Sequence, residues 1–238
     1  MVEKDSRTSS SDRFNNKESP RYHKRDVFHA WMVKGARFAG PMDIPVMEPC
    51  NEIPSKLVAF SDAMSAGYRS REGFVHFYED DADIERFWNN PKKHLPKLKE
   101  FDGVIAPDYS VCYDFPNALK VNNTYRNLAS GAWLQSQGLS VIPNVRCEPL
   151  NADWSLPAIP RNSVIAFGAR ASIKRVEDRH MFVSMVRIAV DELHPSAIVW
   201  YGADAYGTAD YPRSLGVPVY VYPGKGRGSL GGDDCGRI

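Results

Sequence analysis

The residues best suited to chemistry stand at the ends of short apolar runs. Asp108-Tyr109-Ser110 follows Gly103-Val104-Ile105-Ala106-Pro107, and Asn144 and Arg146 follow Val141-Ile142. A carboxylate at a strand end, with proline fixing the approach, can act as general base, nucleophile or metal ligand. An Asp in the same place can also simply cap a turn through its own backbone. Asn144 and Arg146 are two apart, so a continuing strand turns both to one side. A guanidinium there can grip a phosphate or carboxylate through two parallel hydrogen bonds. The plainer use of Arg146 is an ion pair with Asp108 or Glu148. Asp108 is therefore the candidate catalytic residue, with Ser110, Asn144, Arg146, Arg126 and Tyr201 as candidate ligand-binding residues.

Further polar groups fall at other run ends: Asp62, Glu79 with Asp80 and Asp81, Arg170, Asp204, and Lys225 in Gly224-Lys225-Gly226-Arg227-Gly228. Together they suit a polar, anionic small molecule or a nucleotide. Glu79, Asp81 and Asp108 could hold an oxygen-preferring cation such as Mg²⁺ or Mn²⁺. Acidic loop residues are more often solvated, so no metal ligand is assigned. Asn122, Asn123, Tyr125 and Arg126 crowd one stretch of helix; they either lean toward the same rim or form a solvated face. The six histidines show no ligand spacing, and His76, inside a strand, reads as a satisfied core residue. Cys50, Cys112, Cys147 and Cys235 form no close pair, which argues against structural zinc and for reduced thiols. The phosphate-binding G-x-x-x-x-G-K-[ST] spacing, the G-x-S-x-G elbow, H-E-x-x-H and the dinucleotide fingerprint are all missing.

The elements that must position these residues alternate. Apolar runs at Leu57-Phe60, Phe74-Tyr78, Gly103-Pro107, Val141-Val145, Ser163-Gly168, Ala197-Tyr201 and Val217-Tyr222 read as seven buried strands. Between them, Val121, Tyr125, Leu128 and Ala132 mark one face of a helix that Pro116 opens and Gly138 stops. Phe182, Val186, Ala189 and Leu193 mark another, closed by Pro195. Pro91 and Pro96 break the stretch around Ile84 to Leu98 into two short helices. No clear helix follows Asp62 or Arg146, and Cys147 to Arg161 reads as a surface excursion. The fold expected is α/β, a mostly parallel sheet with alternating helices, as a partial or distorted β/α barrel or, alternatively, an open doubly wound sheet. In either, ligands bind at the carboxyl ends of the strands.

At 238 residues, 43% hydrophobic and 25% charged, the chain can bury a core without staples. The net charge of +1 gives no global field for nucleic acid. No apolar run approaches the roughly 18 residues of a membrane span, and the N-terminus lacks a signal-peptide core. A cytoplasmic location is expected. Residues 1–25 are polar and read as a disordered, partly basic tail able to touch phosphates; residues 26–223 form a single α/β domain; residues 224–238 are a flexible, glycine-rich tail. Val27 to Pro49 reads as an extended strap with a short helix or strand at Val27–Val33.

GVIAPDYS, DFPNALKVNNTYRNLASGAWLQSQG, VIPNVR and SVIAFGA together resemble an uncharacterised family of phages, plasmids and integrated mobile elements, a domain of unknown function. The resemblance covers about Phe74 to Pro223, and its PD-x-S and IPN-x-R elements are specific in combination. Cys147 stands where the family usually has an aromatic after the arginine. The resemblance implies a phage or mobile-element context, in host cytoplasm if phage-encoded, and no established activity. Two expectations follow. One is an enzyme acting on a nucleotide, nucleic acid or other phosphorylated substrate; the other is a non-catalytic factor that binds a host protein or DNA.

Overall fold

The computed structural model describes Asp26 and residues 28–147, 149–169 and 175–224. All seven expected strands form: β3 (Leu57–Ala59), β4 (Phe74–His76), β5 (Gly103–Ile105), β6 (Val141–Ile142), β7 (Val164–Gly168), β8 (Ala197–Tyr201) and β9 (Val219–Tyr222). They follow a small hairpin of β1 (Phe38–Ala39) and β2 (Ile44–Pro45). Strands β3 to β6 make one parallel sheet and β7 to β9 another. A parallel bridge between Asn144 and Ala166 joins them edge to edge. Val145 N–H donates to the Ala166 carbonyl at 2.9 Å, and Ala166 N–H to the Pro143 carbonyl at 2.8 Å.

Strand order therefore follows chain order from β3 to β9 without a reversal. A doubly wound sheet needs a switch point where that order turns back, so the barrel-like alternative is the one that forms. Side chains alternate across it. Val75, Val104, Ile165 and Trp200 face outward onto helices, in one core with Phe87, Leu134 and Phe182. Phe74, Ile105, Ile142, Val164, Val199 and Tyr201 form a second core, with Leu57 of the first strand and Tyr222 of the last packed against it. A surface that brings opposite edges together is concave. The Tyr222 hydroxyl donates to the Pro54 carbonyl just ahead of β3, yet β3 and β9 do not pair among the described residues, so the barrel stays open.

Helices lie in most of the connections. The longest are α4 (Asn117–Ser136), between β5 and β6, and α6 (Val176–Leu193), between β7 and β8. α4 starts directly after Pro116, and Gly138 beyond its end has φ +87°, a conformation easily reached only without a Cβ. The proline-broken stretch is two helices, α2 (Asp81–Asn89) and α3 (Pro91–Leu98), with Pro91 at the start of the second. The strap holds a 3₁₀ turn at Ala30–Val33, and Trp31 meets Trp133 of α4 edge-on at 5.6 Å.

Three local expectations change. Phe60 does not end a strand; it opens α1 (Phe60–Met64), whose N-terminus the Glu79 carboxylate caps through Ser61 N–H at 2.8 Å and the Ser61 hydroxyl. The excursion after Arg146 contains α5 (Ala152–Ser155) between two 3₁₀ turns, and α7 (Asp210–Ser214) precedes β9. Both helices are about one turn, too short to show an apolar period in sequence. Cys50 and Cys147 are buried and take no part in a disulfide, but Cys112 is disulfide-bonded, against the expectation of reduced thiols throughout. The expected tail of residues 1–25, and all of the expected tail of residues 224–238 except Gly224, lie outside the described residues. Among the described residues no helix is long and apolar enough to cross a membrane.

Gly103 shows how closely the concave face is packed. A Cβ there would fall inside the Phe74 ring edge, well within contact distance. Gly103→Ala is therefore expected to cost about 1–3 kcal/mol by overpacking, seen as a lower denaturation midpoint in urea with an unchanged slope.

Candidate functional site

The loop after β5 is held by two helices. Asn127 of α4 accepts the Tyr109 N–H at 2.7 Å and donates to the Tyr109 carbonyl at 3.0 Å, satisfying a buried backbone as a neighbouring strand would. One turn earlier, Asn123 donates to the Ser110 carbonyl at 2.7 Å. From α2, the Asp81 carboxylate accepts the Ser110 N–H at 3.1 Å. The Tyr109 ring is fully buried and its hydroxyl reaches the Ile84 carbonyl at 3.2 Å.

That clamp sets Asp108 at the carboxyl end of β5, 9% exposed. Its Oδ1 accepts from Asn144 Nδ2 at 2.7 Å, and its Oδ2 lies 3.2 Å from Arg146 Nη2. The ion pair foreseen as the plainer use of Arg146 thus forms. The other end of the Asn144 amide accepts from the Tyr78 hydroxyl at 2.9 Å. Tyr78 lies stacked on Tyr201, with centroids 4.9 Å apart and planes 13° apart, and His76 sits 4.3 Å from Tyr201. His76 is a satisfied core residue, its Nδ1 accepting the Tyr78 N–H at 3.1 Å.

Four strands therefore contribute to one network: Tyr78 beyond β4, Asp108 beyond β5, Asn144 and Arg146 beyond β6, and Tyr201 at the end of β8. Ser110 borders it. Arg126 does not join it. One residue before Asn127 on α4, it points about 100° away around the helix, pairs with Glu85 and lies over the Tyr109 ring at 3.8 Å. It lines a separate cleft of about 600 Å³ with Asn122, Tyr125, Trp88 and Phe28. Arg170 and Lys225 lie outside the described residues. Tyr78 and Asn127 adjoin this network and were not singled out in the sequence; Asn123 was weighed there only as one of a group that either leans toward the rim or is solvated.

The electrostatics centre on Asp108. Burial pushes its carboxyl from 3.8 up to about 6, although the Arg146 guanidinium and the Asn144 hydrogen bond pull the other way and the Asp81 charge adds to the rise. Desolvation wins because the carboxylate has lost nearly all its water and gained one amide and one cation in return. A carboxyl poised near neutrality can both give and take a proton. The metal reading gains no geometry: Glu79 is spent on Ser61 and Asp81 on Ser110. Among the described residues no three metal-ligating side chains gather.

Residues 36–215, which include every member of this network, match the family described as a domain of unknown function, DUF4417. The chain belongs to this family. Within DUF4417, it is similar to the Gene 1 protein of Mycobacterium phage L5, 28% identical over 181 residues, covering 75% of this chain and 79% of that protein. It is likewise similar to the Gene 1 protein of Mycobacterium phage D29, 28% identical over 184 residues, covering 76% of this chain and 66% of that one. No solved structure matches. The relatives are phage proteins, in line with the context expected from the sequence, and DUF4417 carries no assigned activity.

Proposed function

We propose that this DUF4417 chain is an enzyme of a phage or mobile element, acting on a nucleotide, nucleic acid or other phosphorylated substrate at the carboxyl ends of its strands. The observation that carries the reading is Asp108: buried at a strand end, held between an amide and a guanidinium, and titrating at about 6. Asp108 serves as the acid–base group. Arg146, whose side chain keeps 22% of its surface in solvent, receives the substrate's anionic oxygens. Asn144 fixes the carboxylate between them.

This arrangement has a thermodynamic signature. An anion that takes the Arg146 guanidinium deprives Asp108 of its compensating charge, so the carboxyl titrates higher in the complex and binding takes up a proton. Between pH 6 and 7, calorimetry of nucleoside phosphate binding in buffers of different ionisation enthalpy should show uptake of up to about one proton per site. Arg146→Ala should weaken binding by at least about tenfold, or about 1.4 kcal/mol. Binding without proton uptake would mean the anion sits elsewhere.

A broader test separates this reading from a non-catalytic binding factor. Asp108→Ala and Arg146→Ala, each checked for native circular dichroism, should abolish the biological effect of the protein. Retention of the full effect in both, with its loss on deletion of residues 1–25, would remove the enzyme reading.

A further inference from the structure

We infer that Tyr78 is a positioning residue: its hydroxyl locks the Asn144 amide in one orientation and thereby governs how readily Asp108 takes up its proton. The inference rests on Asp108 being the acid–base group proposed above. The amide has two distinct ends. Its Nδ2 faces Asp108 Oδ1 at 2.7 Å and the Pro107 carbonyl at 3.4 Å, both acceptors. Its Oδ1 therefore faces the Tyr78 hydroxyl, which must donate at 2.9 Å. Burial, followed by the nearby Asp108 charge, pushes Tyr78 well above the ordinary tyrosine value, so the donor proton stays in place throughout the neutral range.

Held this way, Asn144 donates to an ionised Asp108 but offers no acceptor to a protonated one. A flipped amide would do the reverse, receiving the Asp108 hydroxyl on its oxygen. Tyr78 disfavours the flip: with Nδ2 facing it, the phenol would have to accept instead, turning its O–H away from the amide and giving up the bond it donates at 2.9 Å. The ring itself is immobilised. Tyr201 stacks on one face, and Gly168 admits it: a Cβ at position 168 would lie 2.6 Å from Tyr78 Cδ1. The titratable groups that reach Asp108 are Arg146 from beyond β6, Asp81 from the start of α2 and the neutral phenol of Tyr78. Tyr78→Phe leaves the first two untouched, so any change in the Asp108 titration reports the lock.

The experiment follows the Asp108 carboxyl by carbon NMR of aspartate-labelled full-length protein, its resonance assigned by its disappearance in Asp108→Asn. In Tyr78→Phe the Asp108 midpoint should rise by about one pH unit, a tenfold gain in proton affinity. Gly168→Ala, which keeps the hydroxyl but forces the ring off Asn144, should shift it in the same direction. If Tyr78 is only a packing residue, Tyr78→Phe lowers the unfolding midpoint and leaves the Asp108 titration where it was. That result, or a downward shift, overturns the inference. The titration uses no substrate, so its failure leaves the substrate test above standing, and the failure of that test leaves this one readable.

Discussion

Asp108→Asn is expected to make the protein more stable at pH 7 while abolishing its activity. The acid titrates at about 6 in the folded chain against 3.8 for an ordinary Asp. The native state therefore holds this proton more tightly than the unfolded state does. Below 3.8 both states are protonated and the group contributes nothing. As pH rises from 3.8 through about 6, the unfolded state gives up its proton first and native stability falls. Above that window the ionised carboxylate costs up to about 3 kcal/mol, since each tenfold difference in proton affinity is worth about 1.4 kcal/mol. Asn keeps the shape and the acceptor for Asn144 Nδ2 and carries no charge to desolvate. Some of the gain is lost because Arg146 gives up its ion pair with Asp108, so a net gain of about 1–2 kcal/mol is expected at pH 7, or several degrees in unfolding temperature. Below about pH 4 the two proteins should be equally stable. Paired urea titrations across roughly pH 4 to 8 read the difference directly, other groups cancelling. An Asp108 that served only as an ion-pair partner would instead make the substitution destabilising at pH 7.

The second large effect falls on α4. Asn127→Ala should cost about 3 kcal/mol, since it strands the buried N–H and carbonyl of Tyr109, each worth about 1–3 kcal/mol when left unpaired. It should also free the Asp108 loop, so that activity fails even at temperatures where the protein remains folded. Asn122→Ala, the same substitution five positions earlier on an exposed face, should stay within about 0.5 kcal/mol. Thermal unfolding of the two variants side by side checks this. Equal losses would mean that α4 is sensitive to helix propensity rather than to the clamp.

The seven strands were legible because each is a short apolar run bounded by polar residues or glycine, a pattern that survives without any knowledge of pairing. Their order was not, since a partial barrel and a doubly wound sheet share that pattern and only the pairing separates them. The convergence of Asp108, Asn144 and Arg146 was legible all the same: parallel strands place their ends on one rim. The one-turn helices α5 and α7 were not legible, because four or five residues complete no amphipathic period. Tyr78 escaped selection because it reads as one more aromatic in an apolar run; only the alternation Phe74, His76, Tyr78 puts its hydroxyl inside the concave face. The pairing of Asn123 with Asn127 was a signal that went unused. Two amides four apart on a helix, at positions flanked by Thr124 and Leu128, face the sheet together and need backbone partners there. Arg126 was grouped with Asn122, Asn123 and Tyr125 by adjacency in sequence, whereas the helical turn sends it to the other side, onto Tyr109 and Trp88.

The central claim is that burial outweighs the Arg146 ion pair at Asp108 and leaves an acid poised near neutrality. The most direct measurement is the titration of the Asp108 carboxyl in the wild-type protein by carbon NMR. A midpoint near 6 is the predicted result. A midpoint at or below 3.8 would show a permanently ionised carboxylate paired with Arg146, and would contradict the acid–base role.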